Sequence, residues 1–229
     1  MVKEKAQARR EHLAQMRAEQ KRKERRTAFL MWGGGGLVIV VIIAVVGFYL
    51  IGERSATSLD AVTTASYPAA LHKETKITYK ENPPVGGEHN PVWQNCGVYD
   101  APLANEHAVH SMEHGAVWIT YRPDLPKAQV DRLKELASDD YMLLSPYPGL
   151  PAPVVVSSWN HQLKLQSAED PRLPRYISKY KNGPDTPELG AACTQGTSAT
   201  AAESPIPEAA PSPAPTGSAP APAPSPTSS

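Results

Sequence analysis

The sequence predicts an α+β domain, a small mixed or antiparallel sheet with helices packed on it, preceded by one transmembrane helix and followed by a disordered Pro/Ala/Ser tail. Three observations carry this. Residues 28–51 (AFLMWGGGGLVIVVIIAVVGFYLI) hold no charge and as a helix would run about 36 Å, enough for a bilayer core of about 30 Å. Within 71–196, short β-rich runs alternate with amphipathic helical periods. Beyond 197 the chain is Ala, Pro, Ser and Thr with Ile206 as its one large apolar residue, a composition that cannot bury a core.

Charge sorts the segments. Formal net charge is zero over 229 residues, yet residues 1–26 hold ten Lys/Arg against four Glu, a net of +6. Everything after them is therefore acidic. Five basic residues in 21–26 directly precede the apolar run, whereas Glu53 and Arg54 after it cancel. The positive-inside rule then keeps the N-terminus in the cytoplasm. The apolar core is too long for a cleaved signal peptide and no convincing small-residue cleavage site follows. The expected order is a basic cytoplasmic segment (1–26), a signal anchor in the plasma membrane (27–51), a polar stalk (52–70), an extracytoplasmic domain (71–196) and the tail (197–229). The glycine run 33–36 would weaken the helix or admit a neighbour, so oligomeric state stays open.

Cys96 and Cys193 are the only cysteines, and outside the cytosol a disulfide between them is the default. The alternative is Cys96 as a thiolate ligand beside His89.

Inside the domain, 76–80 (KITYK) alternates and reads as a first strand. Residues 81–100, broken by proline and glycine, read as an irregular segment anchored by Trp93, Val98 and Tyr99. The run 116–121 (AVWITY) is a central strand, with Trp118 and Thr120 on one face and Val117, Ile119 and Tyr121 on the other. Pro126 opens a helix to about 137 that buries Val130, Leu133, Leu136 and Ala137. Strands follow at 141–145 and 154–159, antiparallel or adjacent, and 161–165 extends the second or forms another. A last helix over 171–180 turns Leu173, Tyr176, Ile177 and Tyr180 inward.

The chemistry concentrates in 105–115 (NEHAVHSMEHG), which holds three of the seven histidines and two glutamates. If Asn105 caps a helix that Gly115 ends, His107, His110 and His114 share one face, flanked by Glu106 and Glu113. Ala108, Val109 and Met112 fall opposite. Imidazoles at i, i+3 and i+4 converge, and neutral imidazole suits zinc or copper. His89, after Gly86 and Gly87, is the outside residue that would complete such a site. A solvated face, or histidines bonded to backbone carbonyls, is the simpler alternative. His161 reads as an edge histidine.

Two stretches, 85–100 (VGGEHNPVWQNCGVYD) and 108–121 (AVHSMEHGAVWITY), resemble the bacterial membrane-anchored family called domain of unknown function 3105. The resemblance covers about 79–193. It implies no activity, but it implies that His89, Cys96, Glu106, His110, Glu113, His114 and Gly115 belong to the family signature, with His107 less characteristic.

Two other classes compete with metal binding. His110 to His114 satisfies H-x-x-E-H, the pattern of a zinc hydrolase, yet Gly115 and the strand behind it cut short the helix such a site needs. Enzymatic activity is therefore not the favoured reading. An envelope scaffold whose tail reaches protein partners is the other. Nucleic acid is not an expected partner, because the exported part is acidic and carries no basic stripe with aromatics. No phosphate-cradling glycine loop is present either.

Overall fold

A computed structural model describes residues 2–209. It divides into two units, 1–58 and 59–229. The first is the helix α1 (Val2–Ala56), 55 residues long, which runs through the glycine stretch without a break. Its His12–Ala56 part is long and apolar enough to cross a membrane. Phe29, Leu30, Ile39 and Ile43 project from it exposed.

The second unit holds a six-stranded mixed sheet. In chain order its elements are β1 (Thr63–Thr64), β2 (Gly97–Val98), α2 (Asn105–Glu113), β3 (Val117–Tyr121), α3 (Lys127–Leu136), β4 (Met142–Pro146), β5 (Val154–Ser158), β6 (His161–Leu165) and α4 (Arg172–Tyr180). The strand order is β1-β6-β5-β3-β4-β2. β3 lies parallel to β4 across the α3 crossover and antiparallel to β5, and β5 and β6 pair antiparallel. β3 is central, as its two apolar faces require.

Strand alternation sends side chains to both sides. Val117, Ile119 and Tyr121 join Met142, Leu144, Val154, Val156, Leu163 and Leu165 against Leu133 of α3 and Leu173, Tyr176 and Ile177 of α4. On the other face Trp118 and Leu143 meet Ala108, Val109 and Met112 of α2, with Trp159 beside them. The Trp118 indole donates to Ser145 Oγ at 3.1 Å, so its one polar atom is satisfied in the core. The predicted inward faces of α4 and of β3 are those observed. On α3, Leu133 and Ala137 are buried, whereas Val130 and Leu136 are only partly covered.

Two expectations change and one is narrowed. Residues 76–80 form no strand: the Ile77 N–H donates to Glu106 Oε1 (2.9 Å) and the Lys76 N–H to Pro207 O (2.8 Å). A carboxylate and a distant loop take the donors a ladder would use. β4 and β5 run antiparallel in one sheet, as expected, but are not adjacent, since β3 lies between them. α2 is capped by Ala104, with no side-chain cap, and Asn105 is its first residue.

Packed chain is also found on either side of 71–196. Leu59 and Val62 lie against the core, Thr63 and Thr64 pair with β6, and Asn95 binds the 196–198 stretch. The rest of the tail, 210–229, lies outside the described residues. Cys96 and Cys193 are joined, their Cα atoms 5.4 Å apart across 97 residues of sequence, which excludes Cys96 as a free ligand and suggests an oxidising compartment. Replacing both by serine is expected to cost about 2–5 kcal/mol, measured as a lower chemical-denaturation midpoint.

Candidate metal centre

α2 lies between the sheet and a wrap of irregular chain. Its apolar side packs on Trp118 and Leu143, while its polar side is covered by residues 87–94 and 188–192, so every residue from Glu106 to Glu113 is buried. The histidine face is therefore not solvated. Gly115, at φ +107°, ends the helix, and a Cβ there would collide with the Asn182 side chain.

His89, His107, His110 and His114 are held the same way. His89 Nδ1 lies 2.8 Å from Gly87 O, His107 Nδ1 2.5 Å from Val92 O, His110 Nδ1 2.7 Å from Asn90 O and His114 Nδ1 2.7 Å from Ala192 O. A carbonyl oxygen only accepts, so each Nδ1 carries the proton and, in the neutral ring, the lone pair is at Nε2. Gly87 takes part through its own conformation: at φ +97° it packs against the Tyr67 ring and turns its carbonyl back to His89.

Two groups of ligand atoms converge. His72, His89, His110 and Glu113 offer atoms that all lie within 4.8 Å of one another, and so do His110, His114 and Glu188. A backbone bridge brings His72 in, with the His89 N–H on Leu71 O (2.9 Å) and the Lys73 N–H on His89 O (2.7 Å). The ring centroids of His72 and His89 are then 4.9 Å apart, those of His89 and His110 4.8 Å, and those of His110 and His114 4.5 Å. Trp159 meets the His89 ring edge-on and Trp93 lies against His110 and His114.

The innermost pair is the most telling. His89 Nε2 and Glu113 Oε2 are 2.9 Å apart, both side chains are wholly buried, and neither atom meets any other hydrogen-bonding group. The other carboxylate oxygen, Oε1, accepts from the Ala70 N–H at 2.7 Å. Two buried acceptors facing each other need a cation between them, either a proton or a metal ion. Burial pushes the Glu113 carboxyl up, but the bond to His89, the Ala70 N–H and the neighbouring His89 and His110 rings outweigh it and hold the group below its ordinary value. Burial pushes His110 down to about 4; the bond to Asn90 O opposes this only in part, and the other histidines add to the fall.

Of the predicted residues, His89, His110 and Glu113 meet in one group and His114 joins His110 in the other. Glu106 and His107 belong to neither: Glu106 Oε1 holds the Ile77 N–H, and His107 is turned to Val92. His161 stands apart, 3.2 Å from Asp185. His72 is the residue that sequence reasoning missed.

Fold and cluster together define an α/β domain enclosing a buried histidine and glutamate centre. The chain belongs to the family described as "Protein of unknown function (DUF3105)", matched over residues 71–195, as its motifs led us to expect. Residues 7–67 are similar to a second family, described as an inhibitor of host cell division protein domain. No curated protein and no solved structure matches the chain.

Because folded His110 refuses a proton that the unfolded chain accepts, its contribution to stability is complete above about pH 6.5 and is lost as pH falls toward about 4. Metal-free protein is expected to lose up to about 3 kcal/mol over that window. In His110→Gln, urea titrations at a series of pH values should show a flatter profile there.

Proposed function

We propose that the folded unit is an extracytoplasmic metal-binding module held at the plasma membrane by α1, with the basic N-terminal stretch on the cytoplasmic side. The ligands are Nε2 of His89 and His110, a ring nitrogen of His72 and the carboxylate of Glu113. The observation that carries this reading is the wholly buried His89 and Glu113 pair, its Nε2 and Oε2 2.9 Å apart with a shared cation needed between them, in one group with His72 and His110. Tetrahedral zinc with bonds of about 2.0–2.1 Å sets its ligand atoms about 3.3 Å apart, so the His89 and Glu113 atoms, at 2.9 Å, would part slightly while the wider pairs of the group, within 4.8 Å, drew in.

Chemistry of the donor set favours a borderline divalent ion. Three imidazoles and one carboxylate suit zinc first and copper(II) second. Soft sulfur is missing from the group: both cysteines are in the disulfide and Met112 is buried against the sheet. The carbonyl clamps on His89 and His110 supply the outer hydrogen bonds that fix tautomer and ring angle for a metal. Glu113 fits a ligand better than the water-activating base of a hydrolase, since one oxygen is tied to Ala70 and the other faces His89.

Elemental analysis of the purified full chain should give about one zinc or copper per molecule. His89→Ala combined with Glu113→Gln should reduce this below about a tenth, while a control change at His107 leaves it intact. Equal metal in both proteins, or none in either, would end the reading.

A further inference from the structure

We propose that His114 and Glu188, together with His110, form an outer cation position through which a divalent ion reaches and leaves the inner ligands. This rests on the inner-site reading and adds a route to it. His110 belongs to both groups, yet its Nδ1 is committed to Asn90 O. One lone pair remains, at Nε2. The two positions are therefore alternatives for a single ion and not the halves of a binuclear centre.

Their surroundings differ in the order a route needs. The side chains of His89 and Glu113 are wholly enclosed and that of His114 is 4% exposed, whereas the Glu188 side chain is 41% exposed. Glu188 stands at the solvent boundary with Oε2 3.2 Å from His114 Nε2. Its backbone N–H donates to Glu113 O at 3.1 Å, so the outer carboxylate is fixed to the residue that carries the inner one. The Ala192 carbonyl holds His114 with Nε2 turned to Glu188, and Trp93 walls this side against the His110 and His114 rings.

An ion attracted by the Glu188 carboxylate meets His114, then His110. His110 keeps its bond while Glu188 and His114 are exchanged for His89, Glu113 and His72. At no point is the ion stripped of protein ligands, which would cost far more than exchanging them one at a time. The competing route is direct entry at His72, the solvent-exposed corner of the inner group.

A port and a resident ligand differ in kinetics. A port speeds entry and exit by the same factor and leaves the equilibrium unchanged; a resident ligand alters the equilibrium. The experiment uses full-length protein in detergent, with Zn²⁺ uptake from a chromogenic indicator and release to excess chelator followed by stopped flow. In Glu188→Gln, and separately in His114→Gln, uptake and release should each slow about tenfold, with stoichiometry and Kd within about twofold of wild type. Unchanged rates in both variants would overturn the route and favour His72. Weakened affinity with faster release would overturn it by making these residues resident ligands. Wild-type protein that binds no Zn²⁺ would overturn the inner site as well, so the two failures are distinguishable.

Discussion

The structure depends on a buried imidazole being allowed to keep a bare lone pair. Four rings on and around α2 spend their Nδ1 proton on a backbone carbonyl, which is the arrangement that leaves Nε2 as an acceptor. Enclosing such acceptors beside a carboxylate is unfavourable unless a cation joins them. The chain around α2 supplies that enclosure. Gly87, Asn90 and Val92 come from one irregular run, Ala192 from another, and the Cys96–Cys193 bond ties the two runs together.

The sheet makes the enclosure possible. With β3, β4 and β5 buried throughout, one face is filled by α3 and α4 and the other is free to carry α2 on Trp118 and Leu143. α2 is thus gripped on its apolar side by a stiff surface. Its histidines are positioned from below by packing and from above by hydrogen bonds, and neither alone would orient them.

How much could be read from the residues follows from range. Periodicity gave α3, α4 and β3 because their burial is local in sequence: Leu173, Tyr176, Ile177 and Tyr180 repeat at helical spacing. The same reasoning grouped His107 with His110 and His114 by helix angle, yet His107 is drawn to Val92 by a contact that spacing does not encode. His72 left no signal, since a lone histidine in a polar stretch becomes a neighbour of His89 only through a two-residue backbone bridge. Residues 76–80 misled for the opposite reason. Their alternation is real, but pairing needs a free ladder edge, and Glu106 and Pro207 occupy the donors first.

The sheet ends at each border in a strand of only two residues, Thr63–Thr64 on one side and Gly97–Val98 on the other. So little open backbone gives a passing chain scant purchase for adding itself as a seventh strand. A protein concentrated on a surface, as one held there by a single helix such as α1 would be, meets its own copies far more often than one diluted in bulk water. Clipped margins of this kind let it be crowded without fusing into aggregates.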